Sequence, residues 1–412
     1  MNEFCIKMSN LSSLNLIEHG TEKILSKKNL LEKIREDRPL NIKFGCDPTA
    51  PNLHIGHMVI INKLAQLQKM GHHIHFIIGD FTAFIGDPTG RNSTRPMLNQ
   101  EEISKNVKTY QDQIFRFLQK DKTFMHKNSD WLNKVSLQTV IKLSSKQTIA
   151  RMLERKDFNL RFRGNKPIAI HELLYPLIQA YDSVHIKADI ELGGTDQEFN
   201  LLMGREIQKS MNLKQQVAIT MPILQGTDGI KKMSKSLDNH IGINDTPENM
   251  FGKIMSIPDS LMWTYYRLVL LSSEEEVESY KISVKQGENP SIFKYDLAKK
   301  IVTKFYTKEK SEVAFDDFTR RFKHKTTPRT IPEFIVSSSS AIPVSILLKK
   351  VGFCKSTSEA MRLIEQKAIK VDGLRVLDKK FLVQTGTSSI YQVGKRKFLR
   401  IIVNVQSDST TD

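Results

Sequence analysis

Two histidines, His54 and His57, flank a glycine in the segment DPTAPNLHIGHMV (47–59), where a short strand, NIKFGC (41–46), is predicted to lead into a helix. Backbone N–H groups at a helix start favour anions, and imidazoles add further donors. Gly56 removes a side chain where a flat ring or a phosphate must approach the backbone. The spacing therefore indicates a site for an anionic ligand, although a buried, hydrogen-bonded histidine pair would fit the same residues.

A metal site at these histidines would need a third and a fourth ligand. His72, His73 and His75 follow at the next predicted strand. Neighbouring residues of a strand point to opposite faces, so these three side chains cannot all converge. We predict no protein-bound metal.

A lysine cluster lies far downstream, in GIKKMSKSLDN (229–239), where Lys231, Lys232 and Lys235 share one short loop. A lysine-rich loop alone is usually a solvated surface. Ammonium groups on a flexible loop are also suited to compensating the charge that grows on phosphate oxygens during a displacement at phosphorus. Such a loop can close over a leaving group only when that group is present.

One predicted helix carries three polar side chains on a single face, because Tyr175, Gln179 and Asp182 are spaced i, i+4 and i+7. The spacing alone is compatible with core or surface. A tyrosine, an amide and a carboxylate together make an unusual core face, and inward polar groups need a polar ligand. A buried carboxylate that accepts from a ligand hydroxyl would reject an analogue without it, because the carboxylate would be left unpaired.

A doubly wound parallel sheet is the framework that these segments predict. The strand at 41–46, a helix with apolar residues at i, i+4 and i+7 from Ile60, and the apolar run HIHFIIGD form a βαβ unit. A further helix is expected after Asn99, and further strands at KTFMH, ADIEL and QVAITMPIL. The fold class is α/β, and ligands bind beyond the carboxyl ends of such strands, where His54 and His57 lie.

Composition divides the chain into four segments. A Rossmann-like domain with a helical lead-in over 1–40 is expected at 1–248, followed by a helical domain at 249–327. A linker with three prolines and a serine run is expected at 328–343, and a small α+β unit at 344–412. From Ala341 onward, 13 Lys and Arg stand against 6 Asp and Glu. Such a unit favours phosphates as a partner, with a solvated charged face as the alternative.

Charge and cysteine content narrow the functional class. The 412 residues carry a formal charge of +17, which favours a polyanionic partner. No apolar run approaches the roughly 20 residues that span a bilayer, so we predict no membrane partner, and the amino terminus does not read as a signal peptide. Cys5, Cys46 and Cys354 are few, odd in number and far apart, which favours the reducing cytoplasm.

The two charged segments together resemble the HIGH and KMSKS signatures of class I aminoacyl-tRNA synthetases, at His54–His57 and Lys232–Ser236. No GxGxxG or Walker-type loop suggests another nucleotide-binding scheme. The resemblance implies that an amino-acid carboxylate attacks the α-phosphorus of ATP, which enters with Mg²⁺, and that pyrophosphate leaves. It assigns the catalytic role to His54, His57, Thr49, Lys232 and Lys235.

The chain is similar to the tyrosyl-tRNA synthetases almost from end to end, through GCDPTAPNLHIGH, FIGDPTGR, YPLIQAYDSV and ELGGTDQEFN. SEAMRLIEQKAIKVDG and YQVGKRKF resemble an S4-type RNA-binding domain. This likeness implies tyrosine–tRNA ligase activity with L-tyrosine, ATP and tRNA(Tyr) as partners. It also implies a homodimer, with an insertion around residues 140–180 as the candidate interface.

The resemblance implies roles for the residues of the tyrosine subsite. Asp87 would hold the substrate ammonium, supported by Tyr175 and Gln179. Asp182 would accept the phenol hydroxyl. Gln197 would contact the substrate near its carboxylate.

On the ATP side, Asp196 would face the ribose, Asp47 would bridge the adenylate and the amino group, and Gly56 and Lys235 would contact the nucleotide. The chain departs from the family at the site of the substrate phenol hydroxyl. Many bacterial members carry a tyrosine there that binds this hydroxyl together with the aspartate, and this chain has Lys43 at that position. A branch of the family resembles this chain in lacking that tyrosine, and Glu191 fits the same branch. The second partner of the hydroxyl stays open.

Two rivals remain. A tryptophanyl relative would share the fold and both signatures, but indole has no hydroxyl to meet Asp182. A catalytically silent RNA-binding protein could keep the fold, but it would not need both signatures intact. Tyrosine-dependent ATP–pyrophosphate exchange separates the three hypotheses.

Overall fold

A computed structural model describes residues 13–48, 52–89, 100–323, 331–394 and 397–405. The chain divides into two compact units, Met1–Phe315 and Asp316–Asp412. Within the described residues, no helix combines the length and the apolar character that a membrane crossing requires.

Six strands form the sheet of the first unit, in the order β1-β6-β5-β2-β3-β4. Strands β2 to β6 are mutually parallel, and only β1 runs antiparallel, beside β6. Along the chain the sheet grows from β2 to β3 and β4 on one side and through β5 to β6 on the other, so the order reverses between β2 and β5. This confirms the doubly wound α/β fold. The strands are β1 Lys23–Leu25, β2 Asn41–Cys46, β3 His73–Ile78, β4 Thr123–Lys127, β5 Ile190–Gly194 and β6 Val217–Met221.

Helices cover the sheet and connect its strands. The helix predicted after the histidine segment is present and buries Leu64 and Leu67, and Gly71, with φ +97°, follows its end. The helices of this region are α1 Lys27–Ile34, α2 Ile55–Lys69, α3 Thr82–Ile85, α4 Gln100–Ile114, α5 Ser129–Leu132, α6 Leu137–Ser144, α7 Ile149–Met152, α8 Lys156–Arg163, α9 Ile170–His185 and α10 Glu198–Ser210.

The sequence predicts a helical lead-in over residues 1–40, but the structure contains a strand within it. Residues 13–18 and α1 are helical, but β1 between them is a strand that pairs with β6, with Ile24 opposite Ile219. The free edge of β6 offers backbone groups to pair with, and this tertiary pairing outweighs the local helical pattern.

Within the first unit, helices replace strands beyond β6. One of them begins after Ser273, whose side chain accepts from the Glu276 N–H. The helical region up to Phe315 belongs to the same compact unit as the sheet. The predicted boundary between residues 248 and 249 therefore does not separate two compact units. Asn62 of α2 donates to the carbonyls of Leu268 and Val269, which ties the two parts together. The elements are α11 Pro247–Met255, α12 Asp259–Tyr265, a π-helical turn Tyr266–Leu270, α13 Glu274–Lys285, α14 Pro290–Phe305 and α15 Lys308–Lys323.

The described residues of the second unit form a five-stranded sheet in the order β10-β9-β12-β13-β7, a two-stranded ribbon of β8 and β11, two complete helices and the end of α15. Strand β7 lies inside the stretch predicted to be a linker, and that prediction is wrong there. Its backbone pairs in parallel with β13, and Val336 is buried in the core of the unit. The elements are β7 Glu333–Ser338, β8 Ile342–Pro343, α16 Val344–Lys350, α17 Thr357–Glu365, β9 Ile369–Val371, β10 Leu374–Arg375, β11 Leu382–Val383, β12 Thr387–Val393 and β13 Lys397–Val405.

Candidate active site

A cleft of about 500 Å³ opens at the carboxyl ends of β2 and β5, the point where the strand order reverses. Open α/β sheets bind ligands at this point. Every predicted site residue that the structure describes lines the cleft, and Thr49 lies outside the described residues. The lining includes Asp47, His54, Gly56, His57, Asp87, Tyr175, Gln179, Asp182, Asp196, Gln197, Lys232 and Lys235.

The two histidines stand at the start of α2. The backbone N–H of His54 donates to His57 Nδ1 at 3.1 Å, so a neutral His57 ring carries its proton on Nε2. Burial lowers the pKa of His57 to about 4 and that of His54 far below its ordinary value, and the charge of Lys235 acts in the same direction on both. The rings are therefore neutral N–H donors near pH 7, and they contribute no positive charge.

The glycine between the histidines is required by their packing. The two ring centroids are 3.9 Å apart, and a Cβ on Gly56 would lie 2.9 Å from His54 Nδ1. That nitrogen is buried and has no hydrogen-bond partner among the residues that the structure describes. A buried polar atom of this kind is available to a ligand.

The lysine loop is held by one asparagine. Asn239 Oδ1 accepts from the Ser234 N–H at 2.8 Å, and its amide donates to Asp228 at 3.0 Å. Lys232 is half exposed, and its ammonium lies 3.0 Å from Asp196. The lysine predicted to bind the phosphates is therefore paired with the aspartate predicted to face the ribose. Partial burial lowers the pKa of Lys235.

On the opposite side of the cleft, Asp47 at the end of β2 receives two hydroxyls. Tyr175 donates its phenol to Oδ2 at 2.9 Å, and Thr82 donates to Oδ1 at 2.7 Å. Burial, followed by the charge of Asp47, raises the pKa of Tyr175 well above its ordinary value, so Tyr175 stays a donor. Asp47 is thereby fixed between α9 and α3.

Asp87 is the centre of a second network. Its Oδ2 accepts from Gln197 Nε2 at 2.7 Å, and its Oδ1 accepts from the Thr89 hydroxyl at 2.6 Å. The buried guanidinium of Arg155 donates to the same Thr89 hydroxyl at 2.6 Å and to Asn200 at 3.1 Å. Predicted positions in the FIGDPTGR and ELGGTDQEFN segments are thus brought together, and both oxygens of Asp87 have a fixed direction.

Asp182 lies at the buried end of the cleft, 3% exposed. Trp131 donates its indole N–H to Oδ1 at 2.9 Å, and Asn128 donates to Oδ2 at 3.3 Å. Burial raises the pKa of Asp182 to about 6, against the opposing charge of Lys43 and the two donated hydrogen bonds. The group is therefore mainly a carboxylate near pH 7, and a carboxylate has further lone pairs with which to accept a ligand hydroxyl.

Gln179, the third polar residue of the α9 face, is turned toward the neighbouring strands. Its amide donates to Glu191 at 3.3 Å and its backbone carbonyl accepts from the Lys43 ammonium at 2.9 Å. Gln179 also lines the cleft, so it joins the ligand surface to a buried polar network.

Sequence reasoning missed Thr82, Asn128, Trp131 and Arg155, which orient the predicted carboxylates. Asn128 directly follows β4, so the rule that ligands meet the carboxyl ends of parallel strands could have identified it. Arg155 carries no comparable signal, because its role depends on the position of α8 against the sheet.

The geometry gives the cleft two chemically different ends. One end offers carboxylates oriented by neighbouring side-chain donors, which suits a substrate ammonium and a hydroxyl. The other end offers imidazole N–H groups and ammonium groups, which suits phosphate oxygens. Among the described residues, no group of three or more His, Cys, Asp or Glu side chains could hold a metal ion.

Comparisons with known proteins agree with this chemistry. The family described as tRNA synthetases class I (W and Y) matches residues 35–323, and the S4 domain matches residues 343–388. A tyrosine–tRNA ligase of Francisella tularensis subsp. tularensis is 52% identical over 391 residues, which cover 95% of this chain and 98% of that protein. A tyrosine–tRNA ligase of Colwellia psychrerythraea is 49% identical over 389 residues, which cover 94% and 98%.

Solved structures show the same fold at lower identity. Tyrosyl-tRNA synthetase of Archaeoglobus fulgidus, complexed with L-tyrosine, gives a TM-score of 0.63 at 23% identity, over 73% of this chain and 99% of that one. The enzyme from Aeropyrum pernix gives a TM-score of 0.62 at 19% identity, over 76% and 98%. At these identities the likeness supports the fold alone.

Proposed function

The chain belongs to the tyrosyl-tRNA synthetases, which are class I aminoacyl-tRNA ligases, and on this premise we propose that its cleft holds tyrosine and ATP end to end. The ammonium of tyrosine is placed at Asp87 and Asp47, with Tyr175 and Gln179 beside it. The phenol hydroxyl donates to Asp182. The observation that carries this orientation is the buried carboxylate of Asp182, whose two oxygens are already aimed by Trp131 and Asn128.

In the proposed reaction a tyrosine carboxylate oxygen attacks the α-phosphorus of ATP. A carboxylate–phosphorus bond forms, the bond to the bridging oxygen of the β-phosphate breaks, and its electron pair leaves with pyrophosphate. No proton has to move, so the site acts through position and charge compensation. His57 and His54 donate N–H groups to phosphate oxygens, and Lys235 supplies a positive charge.

Lys232 and Asp196 change partners in this proposal. The ammonium of Lys232 leaves Asp196 for the phosphates, and Asp196 then meets the ribose hydroxyls. The pair is partly exposed, and such surface pairs contribute little stability, so the exchange is inexpensive. Mg²⁺ enters with ATP and is held mainly by substrate phosphates. The assignment of Thr49 to the phosphates stays a prediction.

We further propose tRNA(Tyr) as the acceptor, with the basic second unit as an RNA-binding surface, and cytoplasm as the location. The tRNA is charged when the hydroxyl at its 3′ end attacks the tyrosyl carbonyl and AMP leaves. The domain boundaries become 1–315 for catalysis and 316–412 for RNA binding in this proposal.

The proposed homodimer is supported by large apolar side chains that are more than half exposed between residues 137 and 170. Isolated exposed apolar residues are ordinary, but several of them within one short stretch of chain are what a subunit interface would cover. The group consists of Leu137, Ile141, Ile149, Leu160, Phe162 and Ile170.

ATP–pyrophosphate exchange with single amino acids tests the proposed function. Tyrosine should support exchange, and phenylalanine and tryptophan at equal concentration should support at least about a hundredfold less, because neither supplies the hydroxyl that the buried Asp182 carboxylate would accept, at a cost of roughly 3 kcal/mol. Exchange with tryptophan equal to that with tyrosine would contradict the assignment of Asp182.

A further inference from the structure

The Lys43 side chain of β2 is completely buried, and its three ammonium hydrogens are all used. They are donated to the Gln179 carbonyl at 2.9 Å, the Ser183 hydroxyl at 2.7 Å and Glu191 Oε1 at 2.8 Å. An ammonium has three N–H donors and no acceptor. Lys43 therefore has no hydrogen left with which to bind the phenol hydroxyl of a substrate.

Its partner Glu191 is equally enclosed, at 1% exposure. Besides Lys43 it accepts from Ser183 at 2.9 Å, from Gln179 at 3.3 Å, and from the amide of Gln216. The pair thus joins β2, β5 and α9 in one closed polar network. Buried charges are tolerated when both partners are satisfied in this way.

The network borders the acceptor for the phenol. Ser183, which contacts both Lys43 and Glu191, directly follows Asp182 on α9, and the charges of Lys43 and Glu191 both act on Asp182. Asn128 and Trp131 add neutral donors to it. Of the two charges, the positive one of Lys43 has the larger effect on Asp182. The net field of the pair therefore favours the carboxylate over the carboxylic acid.

We propose that Lys43 is a specificity-determining positioning residue of the tyrosine subsite: its ammonium is the counter-charge that keeps Asp182 an acceptor, and its bonds to α9 hold the polar face of that helix against the sheet. Lys43 does not itself touch the substrate. Its charge acts on Asp182, in place of a second side chain that would bind the phenol hydroxyl. The inference rests on the proposed function of Asp182.

The test is the affinity for tyrosine as a function of pH, measured without ATP from about pH 5 to about pH 8, since phosphate groups titrate near pH 6 themselves. Tyrosine needs the ionised form of Asp182. Wild-type affinity should therefore fall as the pH drops through about 6.

The paired variant Lys43→Met/Glu191→Gln removes both charges and leaves no unpaired ion. The midpoint of the curve of tyrosine affinity against pH should rise by about one pH unit, because the positive charge that favours the ionised form of Asp182 is lost. A midpoint that stays at the wild-type pH would overturn the proposal. The single variant Glu191→Gln keeps Lys43 and should move the midpoint in the opposite direction, so the proposal can still be decided if the paired variant does not fold.

Two controls separate this inference from its premises. Arg161 and Glu172 form another buried ion pair, and Arg161→Met/Glu172→Gln should lower stability but leave the midpoint in place. An equal midpoint shift in this control would count against a specific role for Lys43. Asp182→Asn should abolish the pH dependence. If the dependence persists in that variant, the proposed function of Asp182 has failed, whatever Lys43 does.

Discussion

The two ends of the cleft are built differently. At the tyrosine end, Asp47, Asp87 and Asp182 each accept hydrogen bonds from at least two surrounding side chains. At the phosphate end, the two lysines lie on one loop, Lys232 is half exposed, and its partner is a single partly exposed carboxylate. Under the proposed function, fixed geometry serves selection at one end, and exchangeable pairing serves catalysis at the other.

The physical reason lies in what each end must recognise. The hydroxyl of tyrosine is present before and after the reaction, so its acceptor gains from being rigid and buried. Charge on the departing pyrophosphate grows only as the bond breaks, so donors that reach it then lower the barrier without tightening the ground state. A substitution at each end should therefore affect a different measured quantity.

The largest effect is expected at the phosphate end. Lys235→Ala should slow adenylate formation by about a hundredfold to a thousandfold, roughly 3 to 4 kcal/mol, because a preorganised charge is lost from the transition state. Single-turnover formation of tyrosyl-adenylate measures this rate, and tyrosine affinity should stay within about twofold. Lys231→Ala, at an exposed position in the same loop, is the matched control. A parallel loss of tyrosine affinity in Lys235→Ala would erase the contrast between the two ends.

At the tyrosine end, a substitution is expected to change the choice of amino acid. Asp182→Asn should reduce the preference for tyrosine over phenylalanine by about a hundredfold, close to 3 kcal/mol, because the substrate loses a charged acceptor and the new amide N–H₂ faces the donors of Trp131 or Asn128. The ratio of kcat/KM values for the two amino acids in pyrophosphate exchange measures this preference. Activity with phenylalanine should change little, and a large loss there would indicate a collapsed subsite.

The sequence predicts the parts of this contrast that depend on spacing. The strands β2 to β6, the helix after the histidines and the polar face of α9 follow from periodicity, and together they place the predicted residues around one cleft. The edge strands β1 and β7 lie in segments with helical and proline-rich patterns, respectively. They form because a neighbouring strand offers unpaired backbone groups, and this is information that local sequence does not contain.

The hydrogen-bond partners of the predicted carboxylates also could not be predicted from the sequence. Asn128 and Thr82 are small polar residues that could stand in any loop, and only the pairing of β3 with β4 brings them together near Asp182. Lys43 is an informative case, because the sequence identifies it as a departure at the hydroxyl site. Its actual partners, Glu191 and Ser183, depend on β5 and α9 meeting β2.

The smallest predicted effect addresses how firmly the lysine loop is held. Asn239→Ala removes the acceptor for the Ser234 N–H and the donor to Asp228, while the residue itself is 3% exposed. The amide of Asn239 also donates to the carbonyls of Lys231 and Lys232, and loss of these hydrogen bonds, at roughly 1 kcal/mol each, should loosen the loop without unfolding the protein. Because Lys235 must then be ordered during the reaction, we expect adenylate formation to slow by about fivefold to tenfold and KM for ATP to rise, with tyrosine affinity unchanged. Asn249→Ala, at an exposed position on α11, is the control for the asparagine substitution itself. If Asn239→Ala instead matched the loss in Lys235→Ala, the fixed loop geometry, and not its exchangeable pairing, would be what the phosphate end requires.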